Sequence, residues 1–217
     1  MDPDGRTTWL ATEIIFMGGF DFRLADVGIT GMLGKAYVVF TNEDTQESIS
    51  QWYDIVTVNS LGLNAFAGGS AGITFYEKSF SDDATKEDIL SSYEGIFANI
   101  TCPQLALFGG QDLYGFSATS SVVIGMDLRL GFFGNDTPWV GLSFSASFNL
   151  MALLPGPSIP SYSLSFSIYK LPENENGKTD WSNPEYEQYF LGARLFSNQL
   201  TIFDLPKLTE EAIQLIE

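Results

Sequence analysis

The clearest pattern in the chain is a two-residue alternation. Across residues 139–154, Val140, Leu142, Phe144, Ala146, Phe148 and Leu150 hold one parity, and Gly141, Ser143, Ser145, Ser147 and Asn149 hold the other. A helix would repeat such positions every 3.6 residues; successive side chains of a strand point to opposite faces, so this run predicts a strand. After Pro155-Gly156-Pro157 and Pro160 the pattern resumes, with Tyr162, Leu164, Phe166 and Ile168 alternating with Ser161, Ser163, Ser165 and Ser167. Two alternating runs around a Pro/Gly-rich connection predict neighbouring antiparallel strands.

Similar but shorter runs predict further strands. Residues 9–17 and 20–29 flank Gly18-Gly19, residues 36–41 and 49–59 flank the turn composition Asn42-Glu43-Asp44, and residues 61–66 and 71–77 surround Gly68-Gly69. Strands are also predicted at 97–101, 105–108, 114–124 and 126–133, divided by Gly109-Gly110 and Gly125. A last extended segment follows near 189–203, beyond the polar stretch 172–178. Glycine inside a strand pattern marks a bulge or a bend, which curved sheets need. Two short helices interrupt the strands. Thr85 with Asp88 three residues later reads as a capping box, and Thr209 caps residues 210–217, whose Ala212, Leu215 and Ile216 share a face with Leu208.

These elements predict a mainly β fold, an antiparallel β-sandwich or partly closed β-barrel with two short accessory helices. It forms one domain over residues 1–217, with residues 205–217 docked as a C-terminal helix. The alternation itself admits two opposite facings. Bulky side chains inward and serines to water give a soluble domain; bulky side chains outward and serines in a lumen give a lipid-spanning barrel. The segments around Gly68 and Gly109 are too short for spanning strands, so the inward facing is expected. A variant of it leaves a hollow apolar interior lined by Phe144, Phe148, Leu164 or Phe166.

Charge narrows the partners. Ten basic against 27 acidic residues give a net charge of −17, a surface that repels phosphate. The expectation is therefore no nucleic acid and no membrane, leaving a protein, a carbohydrate or another neutral ligand, or an apolar small molecule. Neither a leader-like start nor an apolar run long enough for a spanning helix is found in the sequence.

Candidate chemistry is sparse. The chain contains no histidine, which removes His-dependent triads and dyads and nearly all zinc and copper sites. Cys102, the only cysteine, precedes Pro103 and reads as a structural thiol without a disulfide partner. The glycine pairs lack the Lys-Ser/Thr of a phosphate loop, and residues 172–183 fail as a calcium loop because Pro172 and Asn183 stand where acids belong. No metal, cofactor or catalytic residue is assigned. Acids within predicted strands are Glu13, Asp21, Asp54, Glu77 and Asp127, any two of which would need to converge for glycoside hydrolysis. Trp52, Tyr114, Trp139 and Trp181 lie near predicted strand ends or loops, where rings stack on a sugar or anchor a partner. The expected role is a non-catalytic binding or protein-interaction module. Alternatives are a soluble barrel carrying a hydrophobic small molecule and a carbohydrate-active hydrolase using two carboxylates.

Overall fold

The computed structural model describes residues 5–24, 27–61, 64–101, 116–126, 138–149, 163–172 and 179–182. Within them the chain is mainly β, one curled antiparallel sheet with one short helix. The strands are β1 (Arg6–Leu24), β2 (Val27–Thr30), β3 (Leu33–Asn42), β4 (Ser48–Leu61) and β5 (Asn64–Ser81), followed after the helix α1 (Lys86–Ser92) by β6 (Gly95–Thr101), β7 (Phe116–Met126), β8 (Trp139–Asn149) and β9 (Ser163–Lys170). Their order in the sheet is β2-β1-β3-β4-β9-β6-β7-β8-β5, and β5 pairs back onto β1. All the described strands therefore belong to one sheet, and among the described residues there is no second packed layer to confirm the expected sandwich. The second expected helix, the 205–217 segment, the strands expected at 105–108 and 189–203 and most of 126–133 lie outside the described residues.

Several sequence expectations change at the glycines. Residues 9–17 and 20–29 are not two strands about Gly18-Gly19; β1 runs through both glycines, and β5 likewise runs through Gly68-Gly69. The two pairs meet across the sheet, Gly18 opposite Gly69 and Gly19 opposite Gly68. Gly19 sits at φ +139°, where a Cβ would fall 2.1 Å from the Gly31 carbonyl oxygen, so the wall bends where side chains are missing from both strands. The real break falls one strand away, where Gly31-Met32 separates β2 from β3, although both keep one register against β1. Gly125 likewise lies within β7 and does not end it.

The two serine-rich runs are strands as expected, but they are not neighbours. β8 lies between β5 and β7, and β9 lies between β4 and β6. The thirteen residues between them are too many to force a hairpin.

The facing of the alternation is also reversed. On β8 the serine parity points inward: Trp139 is buried, and Ser143 is buried against Thr74, whose hydroxyl donates to it at 3.0 Å. Leu142, Phe144 and Phe148 are on the outward parity and are half-buried. On β9 Ser167 bonds to inward Thr57 at 3.3 Å, so Leu164, Phe166 and Ile168 are on the outer face, although there they are buried. Space explains the reversal. The interior already holds the rings of Trp9, Phe40, Tyr53, Tyr76, Phe97 and Trp139, and an eight-strand enclosure has little more room than its side chains fill.

Glycines on the inner face admit those rings. A Cβ on Gly141, opposite Tyr76, would lie 2.2 Å from the Phe75 carbonyl oxygen and 2.7 Å from the Tyr76 ring; on Gly125, opposite Phe97, it would lie 2.7 Å from that ring. Overpacking of this kind costs about 1–3 kcal/mol. Gly141→Ala is therefore expected to destabilise the protein by at least about 2 kcal/mol in equilibrium denaturation. Gly69→Ala, whose Cβ would meet only an ordinary contact at 3.5 Å, should change stability by under about 1 kcal/mol.

Candidate functional site

The described interior has two zones. At the end where α1 lies, it is closed by aromatic rings. Thr85 caps α1 through the expected box: its hydroxyl accepts from the Asp88 amide at 3.2 Å, while the Asp88 carboxylate accepts from the Thr85 amide at 2.9 Å. The Thr85 hydroxyl, which also donates to the Asp88 carboxylate at 2.7 Å, and then the Thr85 amide hold that exposed carboxyl below its usual pKa. The helix ends at Tyr93, whose amide donates back to the Leu90 carbonyl at 3.3 Å. This termination places the Tyr93 ring inside the sheet, against Phe40, Tyr53, Tyr76, Phe97, Trp139 and Tyr169 at centroid distances of 4.8–5.6 Å. The helix is tied to the wall by Tyr53, whose hydroxyl donates to the Leu90 carbonyl at 2.8 Å, and by Trp139, whose indole N–H donates to Ser92 at 3.1 Å.

Above this plug stands Glu13. It lies on the inward parity of β1 with Trp9 and Ala11 and is buried. The Tyr93 hydroxyl donates to its Oε2 at 3.1 Å, and Tyr169 and Tyr76 supply further hydrogen bonds. A buried carboxylate is tolerable only with such donors, and here they come from β5, β9 and the end of α1. Beyond Glu13 the inner wall mixes apolar Ile15, Met17 and Ile55 with the small and polar positions Thr57, Ser70, Gly72, Ser145, Ser147 and Ser167. Asn99 also faces this zone, and its side-chain oxygen is buried without a partner among the described residues.

The outer wall has the opposite character. Leu10, Ile14, Phe16, Leu33, Ile73 and Phe75 are exposed on β1, β3 and β5, with Trp52 on β4. These strands are consecutive in the sheet, and β8 adjoins them with half-buried Leu142, Phe144 and Phe148.

The aromatic residues singled out from the sequence do not form one site. Trp52 is 45% exposed on the outer face and packs on Tyr37 at 5.1 Å. Trp139 is 1% exposed inside the plug, and Trp181 is half-buried near Thr179. Tyr114 lies outside the described residues. The strand acids do not converge either. Glu13 is inside the wall, whereas Glu77 and Asp54 are outside it, Asp54 paired with Lys35 at 3.1 Å and accepting from the Thr179 amide at 2.6 Å. The side chain of Asp21 and all of Asp127 are not among those described. No group of acids or thiols able to hold a metal ion occurs among the described residues. Sequence reading flagged Glu13 only as one acid of five; its tyrosine partners lie 63, 80 and 156 positions away and carry no local signal.

Comparison with protein-family models, curated proteins and solved structures found no match.

If Tyr93 both fills the plug and satisfies Glu13, its two roles separate by substitution. Tyr93→Ala should cost about 3–5 kcal/mol by opening a cavity, and Tyr93→Phe about 1–3 kcal/mol by removing a donor from a buried carboxylate. Adding Glu13→Gln should shrink the Tyr93→Phe penalty in a double-mutant cycle read by chemical unfolding, because an amide demands less of that donor.

Proposed function

We propose that the chain is a membrane-embedded β-barrel, whose outer wall meets lipid and whose interior is polar and closed at one end. The observation that carries this reading is the reversed alternation. Serine, threonine and glycine, with Ile15, Met17 and Ile55 among them, line the inside beyond Glu13, while large apolar side chains stand exposed outside on adjacent strands.

The hydrogen-bond geometry supports it. Following partners from Gly18 through Leu33, Val56, Ile168, Ile96 and Met126, and extending the registers across β8 and β5, the line returns to β1 at Thr8, ten residues from its start. Such a stagger on eight strands is that of a closed barrel tilted about 35–45°. Closure satisfies the backbone without water, which is the condition for a sheet in hydrocarbon. Strand lengths also suit a bilayer. β1 has 19 residues, β5 18, and β7 and β8 11 each, against the roughly 9–11 a spanning strand requires. The short segment expected around Gly68, which argued against this reading, is part of an uninterrupted strand. That no helix among the described residues is long and apolar enough to cross a membrane leaves a strand barrel unaffected.

Energetics favour lipid over water. Each of the seven exposed large apolar side chains is 36–53% exposed, and burying the remainder is worth about 0.5–1.5 kcal/mol apiece. The sum, on the order of 5–10 kcal/mol, is comparable to the whole stability of a typical domain. The exposed band continues round β4, β3, β1 and β5, a convex arc that a flat protein partner covers only in part. Lipid chains conform to it. A soluble carrier, by contrast, would need Phe144 and Phe148 to line the cavity, and they are on the other side of the wall.

The full chain, refolded from denaturant, should partition into detergent micelles or phosphatidylcholine vesicles and remain with the vesicles after an alkaline wash. In vesicles it should migrate differently on a gel before and after boiling, as a closed barrel does when it opens. Recovery as a monodisperse species in detergent-free buffer would overturn the reading.

A further inference from the structure

We infer that the water–lipid boundary crosses the barrel at the level of Tyr37, Trp52 and the Lys35–Asp54 pair, so that the α1 end lies on the aqueous side. The inference rests on the membrane reading above and adds to it the depth and direction of the barrel in the bilayer.

The outer wall changes character along the barrel axis. At the α1 end the outward positions are Thr8 and exposed Leu10 on β1, Thr41 on β3, Ser48 and Ser50 on β4, and Glu77 and Ser79 on β5, so polar groups surround one leucine. Thr41 and Ser48 face each other, their hydroxyls 3.1 Å apart. At the opposite end of the described wall the outward positions are Phe16 on β1, Leu33 on β3, Val56 on β4, and Ala71 and Ile73 on β5. Nothing charged stands among these. Leu33 faces Val56, and Phe16 faces Ala71, in the registers that bind the strands.

Between the two zones lies a mixed band. Tyr37 and Trp52 are cross-strand partners with their rings 5.1 Å apart. One step further along both strands, Lys35 faces Asp54 and bridges it at 3.1 Å. Amphipathic rings gather at head-group level because one edge meets hydrocarbon and the other water. A lysine at this depth keeps its stem on apolar surface while its ammonium reaches toward the polar side, where Asp54 also draws it. Asp54 is itself closed off by the Thr179 amide at 2.6 Å, so neither charge is left bare at the edge of the hydrocarbon.

The interior agrees with this direction. Helix α1 and its ion pair Lys86–Glu47, at 2.9 Å, lie at the polar end. They join there the β3–β4 turn, where the Asn42 side chain accepts from the amides of Asp44 and Thr45 at 2.9 Å. These groups need water or each other, and both are available outside the bilayer.

Depth-resolved fluorescence quenching tests the boundary. The full chain would be reconstituted into phosphatidylcholine vesicles carrying bromines either close to the head group or near the chain end. The emission lost on Trp52→Phe isolates Trp52 from the other three tryptophans, Trp9, Trp139 and Trp181. Phe16→Trp and Thr8→Trp, each made on Trp52→Phe, report the two flanking levels. Trp52 should be quenched about twofold more by shallow bromines than by deep ones, as a ring at head-group depth requires. The Phe16→Trp probe should show the reverse order, and the Thr8→Trp probe should respond to aqueous iodide rather than to either lipid. If Phe16→Trp is quenched by lipid but Trp52 only by iodide, or if Thr8→Trp proves the deepest of the three, the boundary is misplaced while the membrane reading stands. If no position is quenched by lipid, the membrane reading itself fails.

Discussion

Limited room inside an eight-strand ring governs the rest of this structure. Such a ring encloses little more than its own inward side chains. Here that space is taken at one end by Trp9 and by Phe40, Tyr53, Tyr76, Tyr93, Phe97 and Trp139, the last six in contact edge to face or at a tilt. The inward positions left beside them must be small. Gly125 and Gly141 are inward for that reason, each opposite a ring it would otherwise strike. Once Trp139 and Gly141 are inward, strict alternation sends Ser143, Ser145 and Ser147 inward too, and Leu142, Phe144 and Phe148 outward. The outer apolar surface is thus a consequence of how the inside is filled.

That same dependence explains what could be read from the sequence. Alternation over residues 140–150 and 162–168 identified two strands, because a period of two is a local property. It did not identify the buried face, because the pattern looks the same from either side of the sheet and a shift of one residue exchanges them. The face is settled by Trp139 packing on Phe40 and Phe80, contacts made across 99 and 59 positions of sequence. The glycine pairs misled in a related way. Gly18-Gly19 and Gly68-Gly69 look like strand ends one at a time, but paired across β1 and β5 they are one bend in a continuous wall. The capping box at Thr85 was legible because all of its atoms lie within four residues.

The candidate site divides along the same line. Trp52 was recognised as an aromatic near a strand end, and its partner Tyr37 becomes its neighbour only through the β3–β4 register. Trp139 carried the same local signal and is buried, because its indole N–H finds Ser92 at the end of α1. Glu13 looked like any strand acid. Its environment is assembled by Thr74 and Tyr76 from β5, Tyr93 from α1 and Tyr169 from β9, so sequence spacing could not announce it.

The wall is not uniform around its circumference, and under the membrane reading proposed above this bears on how the barrel would hold together. On β6 and β9 the outward residues Ile96, Ala98, Ile100, Leu164, Phe166 and Ile168 are buried, whereas those on β1, β3 and β5 are exposed. Hydrocarbon offers no hydrophobic drive to pack one apolar surface on another, since lipid tails are as apolar as leucine. Burial on the β6–β9 side therefore gains little once the barrel is in a bilayer, while in water it shields one half of the outer wall and leaves the other half bare. The bare half sits on the longest strands, β1 and β5, which share a register running from Arg6–Ser81 to Arg23–Asn64. The stretch of wall that most needs lipid is thus also the one with the longest uninterrupted backbone ladder. Its hydrogen bonds join residues 41–75 positions apart, a longer range than the β1–β3 and β3–β4 ladders, so they carry the larger loop-closure cost.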